Sequence, residues 1–187
     1  MAVVAEHKKT VADFMALGEG PPYAQLIDGE IIMAPSPFRN HQQLVLNLIL
    51  VIGNHLESGA DPGKLFVAPF DVHLSEHNVL CPDLCFFSGE RLELLSERGA
   101  EGAPDLVIEV LSPSTARRDR KVKREIYARY GAKELWLVSP DTETIEVFDF
   151  FTKRDEPVMV LENGTHPAIT TKLLPGLEIP LGRIFRR

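Results

Sequence analysis

The chain has 187 residues, 44% apolar and 25% charged, with a formal net charge of −7 from 20 basic and 27 acidic side chains. This length suits one well-buried core and is short for two, and no apolar run approaches the roughly 20 residues of a membrane span. The acidic balance excludes a protein that grips nucleic acid mainly through phosphate contacts over its whole surface, so any such contact must come from a local basic patch.

In chain order, the first ten residues lack the basic start and apolar stretch of a signal peptide, so a cytoplasmic address is expected. Residues 3–17 predict a short amphipathic helix with Val11, Phe14, Met15 and Leu17 on its apolar side. Residues 26–33 predict a hairpin turning at Asp28-Gly29. Pro35 and Pro37 interrupt the chain, and residues 41–57 then carry Leu44, Leu48, Val51, Ile52 and His55 at helical spacing. Three strand-like segments follow, residues 65–74, 79–87 and 104–111, with the charged stretch 88–103 as an exposed excursion. Ser114 is a helix N-cap for a helix that runs to Tyr130 and stops at Gly131. Residues 133–138 form the next strand, residues 144–150 pair with it, and residues 157–161 with a short C-terminal strand extend the sheet. The reading is an α+β chain forming one domain over residues 1–187, with a mixed sheet in α-β-β-β-α-β order and a core over about 38–140.

Cys81 and Cys85 fall in one predicted strand on the same face, roughly 13 Å apart. That is too far for a disulfide. No CxxC or neighbouring histidine pair completes a zinc site, so two reduced, buried thiols are expected.

Strand alternation places Cys81, Asp83 and Cys85 on one face, and Asp105, Val107, Glu109 and Leu111 on one face of the next strand. Glu109 sits inside Leu106-Val107-Ile108-Glu109-Val110-Leu111, where a carboxylate is costly unless it is paired or binds a metal. Asp83 has the same problem within Leu80–Phe87. Two such acids on consecutive strands form a hard oxygen site suited to Mg²⁺ or Mn²⁺ if the strands are neighbours; a salt bridge from each acid is the alternative. Asp105, after Pro104, reads as a strand-entry residue near the surface. On the following helix, Ala116, Asp119, Val122, Lys123, Ile126, Tyr127 and Tyr130 share one stripe, which points Lys123 at the sheet. Arg117, Lys121, Arg124 and Ala128 fall opposite. With Arg118 and Arg120 these cations make a solvated face or a local phosphate-contacting patch.

These motifs together resemble the Uma2 family of restriction-endonuclease-type proteins. The resemblance rests on Pro82-Asp83, the run from Pro104 to Ser114, Asp119 with Lys123 and Tyr127, and Lys133–Val138. It includes the Leu26–Glu30 hairpin and His41 at the head of the long helix, and extends from about Phe14 to Phe150. The family is similar to the PD-(D/E)xK nucleases, which implies a restriction-endonuclease-like core and Mg²⁺-dependent hydrolysis of phosphodiester bonds in nucleic acid, with DNA the expected substrate. By resemblance, Asp83 and Glu109 hold the metal and Lys123 assists catalysis, with Gln25, His41, Asp105, Asp119, Lys121 and Tyr127 in support. Two positions depart from the pattern: Leu111 stands where the motif lysine would fall, and Gln25 where relatives often carry glutamate. A nuclease-fold protein that binds without cutting, and a structural domain whose acids are merely paired, are the alternatives. The apolar N-terminal segment and the extra C-terminal strands suggest, by fold analogy, a homodimer.

Overall fold

The computed structural model describes residues 8–18, 24–33, 36–59 and 63–186. Residues 3–7 of the expected first helix lie outside these. The helix that is described, α1 (Val11–Met15), starts at a capping box in which Thr10 and Asp13 each accept the other's backbone N–H. Only Phe14 of its expected apolar side is buried, while Met15 and Leu17 face outward. The hairpin β1 (Ala24–Ile27) and β2 (Glu30–Met33) turns at Asp28-Gly29 as expected, with both residues at positive φ. The long helix α2 (Arg39–Glu57) follows, burying Leu44, Val45, Leu48 and Ile52 along one stripe.

Two expected strands are each divided. Residues 65–74 become β3 (Lys64–Val67) and β4 (Asp71–Ser75), and residues 79–87 become β5 (Asn78–Leu80) and β6 (Leu84–Phe87). Pro69 and Pro82 lie in the gaps. A proline has no N–H to give to a ladder, and at both places the chain passes from one sheet to the other. The excursion 88–103 is more ordered than expected. It holds a 3-10 turn at Gly89–Leu94 and two short strands, β7 (Leu95–Ser96) and β8 (Gly99–Ala100), and Ala100 is fully buried where β8 pairs with β4.

After β9 (Leu106–Val110), the expected single helix is three segments: α3 (Ala116–Arg118), a π-helical turn (Asp119–Lys123) and α4 (Arg124–Arg129). Thr115, rather than Ser114, occupies the N-cap. Gly131, at φ 93°, ends the helical run in the left-handed conformation that glycine adopts freely. Strands β10 (Glu134–Ser139), β11 (Thr144–Asp149), β12 (Met159–Glu162), β13 (Ala168–Thr170) and β14 (Glu178–Pro180) and the turn α5 (Leu181–Ile184) complete the chain.

The strands form two six-stranded sheets, β2-β1-β5-β4-β8-β7 and β12-β11-β10-β9-β6-β3, plus the pair β13-β14. The second sheet is the expected mixed α-β-β-β-α-β core: α2, β3, β6, β9, the broken helix and β10. The helix is the crossover that lets β9 and β10 run parallel. Every residue of β9 is buried, as a strand covered on both faces requires. Leu106, Ile108 and Val110 pack under α2 with Trp136 and Val138. Val107 and Leu111 face the other way, toward Ile126 and Tyr127. Glu109 therefore points into the apolar layer beneath α4.

Asp105 corrects one expectation. It stands at the strand entry but is fully buried, with Lys133 at 2.6 Å, Arg91 at 3.3 Å and the Ser88 N–H at 2.7 Å. It is a structural anchor and does not line the pocket that holds Asp83 and Glu109. Burial pushes its carboxyl up, but Lys133, Ser88 and Arg91 outweigh burial and hold it below the usual range. Its contribution to stability is therefore complete above the ordinary value of 3.8 and lost as pH falls through the lowered folded value. Asp105→Asn should lose about 3–5 kcal/mol at neutral pH. In urea titrations the variant should also show a flatter loss of stability than the parent between about pH 5 and pH 2. Equal acid sensitivity would contradict this role.

Candidate active site

The antiparallel register of β6 on β9 pairs Leu84 with Ile108. One step further along each strand, this sets Asp83 beside Glu109, although Asp83 lies in the bend before β6 rather than within a strand. The bend is held at three points. The Val110 N–H donates to Asp83 Oδ2 at 2.7 Å, the Ala68 N–H donates to the Asp83 carbonyl at 3.1 Å, and His41 Nε2 lies 3.2 Å from Oδ2. His41, in the first turn of α2, thus reaches across to the acid; its Nδ1 is buried with no hydrogen-bond partner among the described residues. Gln25 of β1 accepts the Cys81 N–H at 3.1 Å through its amide oxygen. In this arrangement it braces the Cys81–Asp83 bend.

Glu109 is 3% exposed and meets Lys123 Nζ through both carboxylate oxygens at 2.9 Å, while the Tyr127 hydroxyl donates to Oε1 at 2.8 Å. Lys123 also lies 3.2 Å from Asp119 Oδ1. Asp119, Lys123 and Tyr127 recur every fourth residue, so the helix presents all three to β9. The helical stripe thus picks out the lysine that reaches the sheet, and Lys121 is exposed as expected.

The π turn adds residues to one helical turn and shifts the phase of the residues beyond it. Val122, expected inside, is exposed, whereas Arg124 and Ala128, expected outside, are buried. Arg124 donates to the carbonyls of Arg120 and Arg154 and lies over the Phe148 ring at 5.6 Å. It is a packing residue, unavailable to phosphate. Arg120 is paired with Glu146 at 2.7 Å. Arg117 and Lys121 keep an exposed face and Arg118 is half-buried.

Burial pushes the Glu109 carboxyl up; Asp119 and Asp83 add to the push, and the Lys123 ammonium opposes it. Burial would lower Lys123, but Glu109 and Asp119 hold it above its ordinary value, firmly protonated. Burial likewise keeps the Tyr127 hydroxyl protonated and able to donate. Cys81 and Cys85 are free and buried, in keeping with two reduced thiols, and burial pushes Cys81 up to about 11.

Asp83, Glu109, Asp119 and Lys123 line one pocket of about 120 Å³ together with Gln25, His41 and Val110. Its rim includes Ser112, Ser114 and Thr115, whose hydroxyls are linked at 3.0–3.1 Å. In the sequence this Ser-Pro-Ser-Thr segment reads only as a helix start. The hydroxyl cluster is not legible there, because its position at the pocket depends on the β9–α3 turn. Among the described residues no group of three or more histidine, cysteine, aspartate or glutamate side chains is gathered tightly enough to hold a metal by itself. The donor set nevertheless fits a hard divalent cation. The pocket offers carboxylate oxygens from Asp83, Glu109 and Asp119, of which Glu109 and Asp119 pair with its one ammonium, so its acids outnumber its ammonium groups by two.

A mixed sheet with helices on both faces, with the broken helix crossing between parallel β9 and β10, makes a restriction-endonuclease-like fold. A crystal structure described as a "putative nuclease belonging to DUF820" from Anabaena variabilis ATCC 29413 shares it at a TM-score of 0.78, with 21% identity over 94% of this chain and 97% of that one. Residues 11–182 match the Uma2 family model, described as "Putative restriction endonuclease", and the chain belongs to that family. A relative from Synechocystis sp., "Uncharacterized protein slr1290", is 28% identical over 135 residues, spanning 71% of this chain and 67% of its own length. No helix among the described residues is long and apolar enough to cross a membrane.

Proposed function

We propose that this chain is a divalent-metal-dependent endonuclease that hydrolyses phosphodiester bonds, with DNA as substrate. The observation that carries this reading is the convergence of Asp83 and Glu109 on one pocket beside the buried ammonium of Lys123. Membership of the family described as "Putative restriction endonuclease" supports it. Asp83 and Glu109 would hold Mg²⁺ or Mn²⁺, which supplies Lewis acidity toward a phosphoryl oxygen and activates water. The Val110 N–H and His41 fix the Asp83 carboxylate. Tyr127 fixes one oxygen of Glu109. Lys123, held between Glu109 and Asp119, supplies positive charge where negative charge develops on the transferred phosphoryl group. Of the predicted basic patch, Arg117, Arg118 and Lys121 are left to contact the backbone of the substrate.

A second reading has its own observation. Both oxygens of Glu109 are already engaged by Lys123 and Tyr127, as a purely structural ion pair would be, although the partner is a lysine and the pair opens onto the Asp83 pocket. Incubation of single- and double-stranded DNA and RNA with Mg²⁺ or Mn²⁺ separates the readings. The wild type should cut DNA only with added metal, and Glu109→Gln should reduce cutting to background. Cutting undiminished in Glu109→Gln would contradict the assignment.

A further inference from the structure

The outer face of α2 carries a pattern that nothing inside the described chain explains. Leu46 and Leu50 are 48% and 49% exposed on a helix whose opposite stripe is fully buried. Gly53 lies near the same face, and a Cβ placed there would meet nothing within 4 Å, so no contact within the chain requires a glycine at this helix-weakening position. Arg39 at one end of the helix and Glu57 at the other form no ion pair among the described residues.

At about 100° per residue, Arg39, Gln42, Leu46, Leu50, Asn54 and Glu57 share one outward stripe. Their spacing is symmetric about the level of Leu48. A two-fold rotation there sets Leu46 against Leu50 of a second helix, Gln42 against Asn54, and Arg39 against Glu57. Each charged end therefore meets its opposite, two amides face each other at each intermediate level, and the apolar residues meet at the centre. Isologous contacts require this self-complementarity, and the bare backbone at Gly53 lets two helices approach closely.

We propose that a second copy of this chain packs antiparallel on the outer face of α2, with Leu46 and Leu50 at the centre and Arg39–Glu57 pairs at both ends. His41 and Val45, which line the acidic pocket, sit roughly 120–160° around the helix from the centre of this stripe, so pairing leaves both on the far side, whereas Gln42 belongs to both the stripe and the pocket lining, so the second helix lies beside the pocket. The expected homodimer thus forms through α2, rather than through the N-terminal segment or the C-terminal strands.

Sedimentation equilibrium of the full chain tests this. The wild type should be a dimer. Leu50→Lys, which places like charges at the centre, should weaken self-association by about a hundredfold or more while circular dichroism shows an unchanged fold. Arg39→Glu alone should weaken it by roughly tenfold, and adding Glu57→Arg should restore it. A monomeric wild type, a dimer indifferent to Leu50→Lys, or a charge swap that fails to rescue would each overturn the proposal.

Discussion

Lys123→Ala is expected to lose about 3–5 kcal/mol of folding stability, and metal-dependent cleavage with it. The side chain is 5% exposed and its ammonium touches Glu109 and Asp119, both buried. Truncation leaves two carboxylates in an apolar layer without their cation, and water cannot replace it cheaply. An alanine at Lys123 or Glu109 is therefore expected to disturb the fold as well as the pocket. The double variant Lys123→Met with Glu109→Gln removes the cation and one of its two carboxylates, leaving only Asp119 without its cation, and should recover part of the loss, giving non-additivity of about 1–3 kcal/mol in urea denaturation. Activity should stay at background in all three variants. Separate losses of stability that simply add would show that the two side chains are not a unit.

Asp83→Asn is expected to behave in the opposite way, abolishing cleavage while barely altering the fold. The amide oxygen of asparagine can still accept the Val110 N–H now bonded at 2.7 Å. Asp83 is less buried than Glu109, with its side chain 20% exposed, so neutralising it leaves no uncompensated buried charge. The stability change should stay within about 1 kcal/mol. Affinity for Mn²⁺ should fall by more than the roughly 10–100-fold that changes to outer partners of a metal ligand cause. A variant that unfolds would instead make Asp83 a structural staple of the Pro82 bend.

Glu109 and Lys123 show how far the sequence could be read. Glu109 was legible because a carboxylate among five apolar residues demands a partner wherever the strand goes. Lys123 was legible because spacing by four keeps Asp119, Lys123 and Tyr127 on one face even through the π turn. The same turn defeated the assignment of Arg124, whose partners Phe148 and the Arg154 carbonyl lie across the fold. The division of two strands between two sheets was hidden because apolar residues continue on both sides of Pro69 and Pro82. Asp105 seemed superficial because its cations, Arg91 and Lys133, are distant in sequence. Local periodicity thus found the site acids and the helical lysine, while long-range pairing decided which of the other charges were free.

Calorimetric titration of Mn²⁺ into the wild type and Asp83→Asn tests most directly whether the Asp83–Glu109 pocket takes a divalent cation. Saturable binding by the wild type that is lost in the folded variant is the predicted result. No saturable heat from the wild type, or equal binding by both proteins, would contradict it.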